Sequence, residues 1–386
     1  MRTVEPRIGH NGVVSGHVTK GAPDLGTMVD DVRRLVTIES PSRDLDALSR
    51  SADELGAILA ERLGSAPAIV SSANGPHVHW SGGGDPRVLI VGHHDTVFPI
   101  GALERRPFTV ADGRATGPGV FDMKAGIVQA VHGVASLADR RGVEILISAD
   151  EEIGSGASRD LIVERARACG AVLVLEPSAD GGALKTARKG TGTFEVVVTG
   201  RAAHAGLEPE KGVNALVEAA HLILSISTFG DPSRGTTVTP TVSTSGTADN
   251  VVPAQATIFV DCRVIEADER ERVEKCFASL VPSVPGASIE IRGGFNRPPM
   301  PPTSSEWLFP LAEAVATERG LGPIAGVAVG GGSDGNFTAA AGVPTLDGLG
   351  AVGGGAHADH EWVDVTAMPS RANLIAGIVE RLQNRN

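Results

Sequence analysis

Nearly unbroken apolar runs recur along the first half of the chain: RVLIV (Arg87 to Val91), EILIS (Glu144 to Ser148) and AVLVL (Ala171 to Leu175). A run with no polar face reads as a strand buried on both sides. Between the runs, apolar residues recur at intervals of three and four, as in KAGIVQAVHGVASLA, which is the period of a helix with one buried face. Upstream, MVDDVRRLVTI and ALSRSADELGAILAERLG carry the same spacing on either side of the turn-forming ESPSRD. Strands alternating with helices predict an α/β fold in which helices cover both faces of a β-sheet.

The pattern changes near Gly190. TFEVVVTG reads as a strand, GVNALVEAAHLILSISTF as a helix, TTVTPTVSTSG and ATIFVDCRV as two strands, ADERERVEKCFASLV as a helix and ASIEIRG as a last strand. That order, βαββαβ, is a ferredoxin-like unit. The proline cluster FNRPPMPP closes it, and helix and strand patterns then resume through SEWLFPLAEAVATERG, IAGVAVG and PSRANLIAGIVERL. The unit at 190–301 is therefore expected to be inserted into a larger domain made of 26–189 and 302–386. A chain of 386 residues exceeds a single compact core, which agrees with two domains. Residues 1–25 have no period and read as a flexible arm.

A formal charge of -12 argues against nucleic-acid or anionic-membrane partners, since phosphate binding needs a basic face. No apolar run approaches the roughly 18 residues of a membrane span, and the first residues lack the apolar stretch of a secretory leader, so a cytoplasmic location is expected. Cys169, Cys262 and Cys276 form no CxxC pair and read as buried free thiols.

Five polar clusters fall at the ends of the predicted strands and helices: GHHDTV (Gly92 to Val97), GPGVFDMKAG (Gly117 to Gly126), SADEEIGSG (Ser148 to Gly156), LEPS (Leu175 to Ser178) and GAHADHEWV (Gly355 to Val363). Taken singly, each has an ordinary explanation as a loop histidine, a helix cap or surface charge. Together they supply imidazole and carboxylate groups without thiolates, a donor set suited to a catalytic divalent ion, zinc first. Asp150, Glu151 and Glu152 follow a buried strand, where uncompensated negative charge is costly and a cation relieves it.

In this order and around this insertion, the motifs resemble the dinuclear zinc peptidases and deacylases that include glutamate carboxypeptidase, acetylornithine deacetylase and succinyl-diaminopimelate desuccinylase. The glutamate carboxypeptidase branch is the most similar, through DTVFPIGALERRPFTV, ATGPGVFDMKAG, DEEIGSGASRDLI, LEPS, HAGLEPEKGVNAL and GGGSDGN. The resemblance implies a catalytic domain interrupted by a dimerisation domain. It implies two zinc ions, with cobalt or manganese as substitutes: His93 and Glu176 on one, Glu152 and His357 on the other, Asp122 and a water shared between them. Asp95 would orient the His93 imidazole. Glu151 matches the general base, and a cis peptide is expected at Asp122–Met123. His204 matches a histidine that reaches into the partner subunit's site of a homodimer, to stabilise an oxyanion. Asn250, Arg263 and Arg297 match substrate-binding positions, the arginines suited to a free carboxylate, and Gly332 would approach the substrate through its backbone. His94 and His360 are expected to be neighbours of the site rather than ligands, and Lys124, Arg188 and Lys189 are left open.

Those expectations describe a hydrolase of an amide or peptide bond next to a free carboxylate, a carboxypeptidase or N-acyl-amino-acid deacylase with a glutamate-type leaving group. Two other readings compete. GGSDG (Gly331 to Gly335) has the spacing of a nucleophile elbow, which would make Ser333 a serine-hydrolase nucleophile with Asp347 and His357 or His360. The same fold could also serve as a catalytically inactive dimeric binding protein.

Overall fold

The computed structural model describes residues 23–385, so all but the last three residues of the expected arm lie outside the described residues. The first helix, Leu25–Val36, starts where the side chain of Asp24 accepts the Thr27 N–H. The second, Leu45–Leu63, is capped by Asp44 and stops at Gly64, whose φ of 81° is the left-handed conformation that closes helices.

Six strands form the central sheet in the order Ala68–Val70, His77–Ser81, Val143–Ser148, Val88–His93, Ala171–Val174, Thr345–Leu346. The first two pairs in that order are antiparallel and the other three parallel, so the sheet is mixed. Alternation along the central strand sorts its side chains to two faces. Val88 and Ile90 join one core with the helices Leu25–Val36, Leu45–Leu63, Ala125–Ser136 and Met368–Gln383. Leu89 and Val91 join a second core against the helix Arg159–Ala168. Apolar residues on both faces are what the unbroken run in the sequence encodes.

A four-stranded antiparallel sheet follows, in the order Thr237–Ser245, Gln255–Val264, Gly190–Thr199, Ser288–Arg297. With the helices Ala215–Ile226 and Ala267–Ala278 this is the ferredoxin-like βαββαβ arrangement. It has its own core, in which Phe194 stacks on Phe277 with ring centres 3.9 Å apart. Its first and last strands are neighbours, Thr191 opposite Arg297, so the chain enters and leaves the unit side by side. Asn336, fully buried, donates to the carbonyls of both Lys189 and Pro298 and ties the two crossings together.

Among the described residues, no helix is long and apolar enough to cross a membrane. Cys169 and Cys262 are buried free thiols, whereas Cys276 is only partly covered.

Candidate active site

Three adjacent parallel strands end on the same edge of the central sheet, and each carries acidic or imidazole groups just past its last apolar residue. Val88–His93 ends in His93, Val143–Ser148 leads into Asp150, Glu151 and Glu152, and Ala171–Val174 leads to Glu176. The carboxyl edge of parallel strands is where α/β folds bind ligands, because the loops there diverge and leave a crevice. Asp122 arrives from the crossover helix, immediately before Ala125–Ser136, and its peptide bond to Met123 is cis. His357 comes from the loop before Trp362–Asp364 and adopts a φ of 62°.

These groups converge. His93 Nε2 lies 3.3 Å from Asp122 Oδ1 and 3.7 Å from Glu176 Oε1, while His357 Nε2 lies 3.2 Å from both Asp122 Oδ2 and Glu152 Oε2. Donor atoms of His93, Asp122 and Glu152 fall within 4.8 Å of one another, as do those of His93, Glu151 and Glu176. His93 Nε2, Asp122 Oδ1 and Glu152 Oε1 are buried without a hydrogen-bond partner. Three orphaned polar atoms in one cluster are costly unless something else satisfies them. Oxygen and nitrogen donors at this spacing fit divalent cations.

Electrostatics tell the same story. Burial would strip the proton from His93, but the Asp122 and Asp95 carboxylates lift its pKa well above the ordinary value. The carboxylates of Asp122 and Glu152 raise His357 to about 10. Burial pushes Glu151 well above its usual range against the pull of Arg297, and burial together with Asp122 raises Glu176 to about 7. Four crowded carboxylates favour positive charge wherever they can find it, from protons or from metal.

Asp95 reaches His93 differently from the expectation. His93 Nδ1 donates to the main-chain carbonyl of Asp95 at 2.9 Å, with the carboxylate 3.5 Å away. The carboxylate itself accepts the N–H groups of Glu151 and Glu152 and the Ser42 hydroxyl. Asp95 thus fixes the imidazole with its backbone and the Glu151–Glu152 turn with its side chain.

Arg297, Arg263 and Gly332 line a cavity of ≈ 930 Å³ whose wall includes Glu151, Glu152 and His357. Arg297 donates to Glu151 Oε1 at 2.7 Å and lies 3.4 Å from Asp334. Arg263 is held by Asp261 on its own strand. A Cβ on Gly332 would stand 2.9 Å from Arg297 Cδ, so glycine there is what lets the arginine pass. His204 and Asn250 do not line this cavity. They neighbour each other on the inserted unit, where Ala205 donates to the Asn250 carbonyl and both side chains are exposed. Nδ1 of His204 accepts the N–H groups of Gly206 and Leu207.

The serine-hydrolase reading fails on geometry. Ser333 is fully buried and its hydroxyl donates to Asp347, which Arg188 also holds, with no histidine in contact. His94 is a core residue between Ser51 and the Pro76 carbonyl, and burial lowers it to about 4. His360 is exposed beside Gly355. Lys124 is buried, donating to the carbonyls of Leu35 and Ile38.

Arg188, left open in the sequence, and Glu361, which went unnoticed there, also take part. Arg188 joins Asp347, Glu176 and the carbonyls of Gly331 and Gly332. Glu361 accepts three backbone donors of one loop, from Gly119, Phe121 and Asp122, and so holds the loop that presents Asp122. Its place four residues after His357 was the available signal.

The family model described as peptidase family M20/M25/M40 matches residues 89–381. Carboxypeptidase G2 of Pseudomonas sp. strain RS-16 is 32% identical over 369 residues, covering 91% of this chain and 88% of that protein. Succinyl-diaminopimelate desuccinylase 2 of Shewanella loihica is 28% identical over 222 residues, 50% of this chain and 59% of that protein. An M20 metallo-carboxypeptidase from Sulfolobus solfataricus shares the fold with a TM-score of 0.72 at 15% identity, over 93% of this chain and 98% of that one.

Proposed function

This chain belongs to peptidase family M20/M25/M40 and is a metal-dependent hydrolase, and on that footing we propose that it cleaves an amide or peptide bond next to a free carboxylate, with glutamate-type leaving groups preferred. The observation that carries the reading is the convergence of His93, Asp122, Glu152, Glu176 and His357 around orphaned donor atoms, with the Glu151 carboxylate beside them. In this reading 26–189 with 302–386 is the catalytic domain, and 190–301 is the dimerisation domain.

His93 and Glu176 would hold one divalent cation and Glu152 and His357 a second, with Asp122 shared. Zinc is favoured, with cobalt or manganese as substitutes; when bound, such cations supply Lewis acidity to the attacked carbonyl and the attacking water. Glu151 takes the proton from that water and passes it to the leaving nitrogen. Its buried position keeps the carboxylate basic enough for the task. Arg263 and Arg297 engage the free carboxylate of the substrate, and Gly332 admits its backbone.

His204 and Asn250 lie outside this subunit's cavity, which fits service to the site of a partner subunit. The exposed apolar side chains Leu207, Leu216, Leu224 and Val242 on the same unit favour a homodimer. There His204 would stabilise the oxyanion that forms as the carbonyl is attacked.

Amino-acid release from a panel of N-acyl amino acids and dipeptides, with zinc-loaded and chelator-stripped protein side by side, tests the reading. Release only with metal is expected. Metal binding without release from any member would instead favour the binding-protein reading.

A further inference from the structure

Four arginines line the cavity, two from each unit: Arg263 and Arg297 from strands of the inserted sheet, Arg43 from the turn before the helix Leu45–Leu63 and Arg159 from the start of the helix Arg159–Ala168. Their charges are not equally free. Arg297 is committed to Glu151 and Asp334, and Arg263 makes a bidentate pair with Asp261. Arg159 has a loose 3.8 Å approach to Asp160 and stands 5.7 Å over the Phe337 ring, with its side chain 53% exposed. Arg43 has no ion pair or side-chain hydrogen bond to any described residue.

Position 43 is also held in a costly backbone conformation. Arg43 has a φ of 75°, a left-handed angle that is unfavourable for an L-residue and that glycine adopts freely. Its neighbours lock it there. Ser42 bonds the Asp95 carboxylate and the Thr96 carbonyl, and Asp44 caps the following helix. Strain that is over-determined by its surroundings and faces a cleft points to a binding role.

Resting on the amidohydrolase reading above, we propose that Arg43, with Arg159, forms a subsite for a second acidic group of the substrate, distinct from the carboxylate beside the scissile bond. Two guanidinium groups that line the same cavity without a close carboxylate partner make it a receptor for a further carboxylate, which each can meet with paired N–H donors. A substrate with a single carboxylate leaves both without a close anionic partner. Arg43 is then a specificity-determining residue, acting on binding rather than on the bond that breaks.

The test is a comparison of kcat/KM on matched pairs with the zinc-loaded enzyme: N-acetylglutamate against N-acetylglutamine, and N-succinylalanine against N-propionylalanine. Arg43→Gly removes the charge at an angle glycine tolerates, so the turn is preserved; Arg43→Lys keeps the charge. Wild type is expected to prefer the diacid of at least one pair. Arg43→Gly should reduce that preference about tenfold, mainly through KM, with Arg43→Lys retaining most of it. Which pair responds tells whether the second acid belongs to the leaving or the acyl side. Hydrolysis with no diacid preference, or with both members of each pair losing equally in Arg43→Gly, overturns the subsite and leaves the amidohydrolase reading intact. Absence of hydrolysis throughout overturns that reading, and the subsite with it.

Discussion

Glu151 and Glu361 are both buried carboxylates near Asp122, yet their surroundings ask different things of them. Glu151 meets one arginine and faces the cluster of imidazoles and carboxylates. Replacing it with glutamine preserves shape and removes the proton acceptor, so turnover should fall by roughly 10²–10⁴. Bound metal per subunit should barely change, and a glutamine variant with normal turnover would end the base assignment. Glu361 receives Phe121 and Asp122 on one oxygen and Gly119 on the other. Glutamine can keep the first pair only, because its NH₂ meets the Gly119 N–H as donor against donor. Losing one charge-assisted bond of about 1.5–3 kcal/mol should loosen the Asp122 loop and weaken metal affinity roughly tenfold by competition with a chromophoric chelator. Unchanged affinity would show that Asp122 is placed without it. At this scale the sequence displayed His93, Glu151, Glu152 and Glu176 clearly, since each follows an apolar run, whereas Asp122 and His357 follow glycine-rich loops. Glu361 was hidden among the charges of HADHE, because a carboxylate that binds backbone looks the same in a sequence as one that binds water.

Helices of the larger core are joined by a buried ion cluster. Asp31, fully buried on Leu25–Val36, accepts two N–H groups from Arg62 on Leu45–Leu63 and pairs with His132 on Ala125–Ser136. Burial would raise its pKa, but His132 and Arg62 outweigh burial and hold it at about 2. A carboxylate depressed in the folded state contributes stability in full above its unfolded value of about 3.9 and loses it as the pH falls toward 2. Asp31→Asn should therefore cost about 3 kcal/mol at neutral pH. The gap between the thermal midpoints of variant and wild type should close between about pH 4 and pH 2, and a gap of constant size would refute the assignment. The pairing was invisible beforehand, since 101 residues separate Asp31 from His132. Among strands, the doubly buried ones were legible because nothing polar interrupts them. Ala68–Val70 at the sheet edge shows almost no burial, and the strands Thr109–Ala111 and Arg114–Thr116 are three residues each, too short to display a period.

For the whole molecule, the doubly buried strands, the longer helices and the change of pattern near Gly190 were readable, whereas the residues that a partner subunit would cover were not. A chain's pattern reports which residues are buried and says little about what a second chain covers. Leu207 and Leu224 are 75% and 71% exposed, and Leu224→Glu should produce a monomer in sedimentation that keeps its metal and loses turnover. Mixed dimers offer a sharper measurement. His204→Ala and Glu151→Gln subunits, each inactive alone, should recover about a quarter of wild-type activity after random reassociation, since half the dimers then hold one complete site of two. No recovery would mean that His204 serves its own subunit or none.

The clasp made by Asn336 gives the inserted unit one more property. Because Lys189 and Pro298 are held by the same side chain, a sequence separation of 109 residues between them collapses to a spacing that a short turn can bridge. The unit is in effect a cassette plugged into a single socket. Replacing it with a few glycines leaves every strand of the central sheet and all five clustered donor residues on the parent chain. Such an excision also removes Arg263 and Arg297 from the cavity wall, so the donor cluster and the arginines that face it belong to separable parts of the chain.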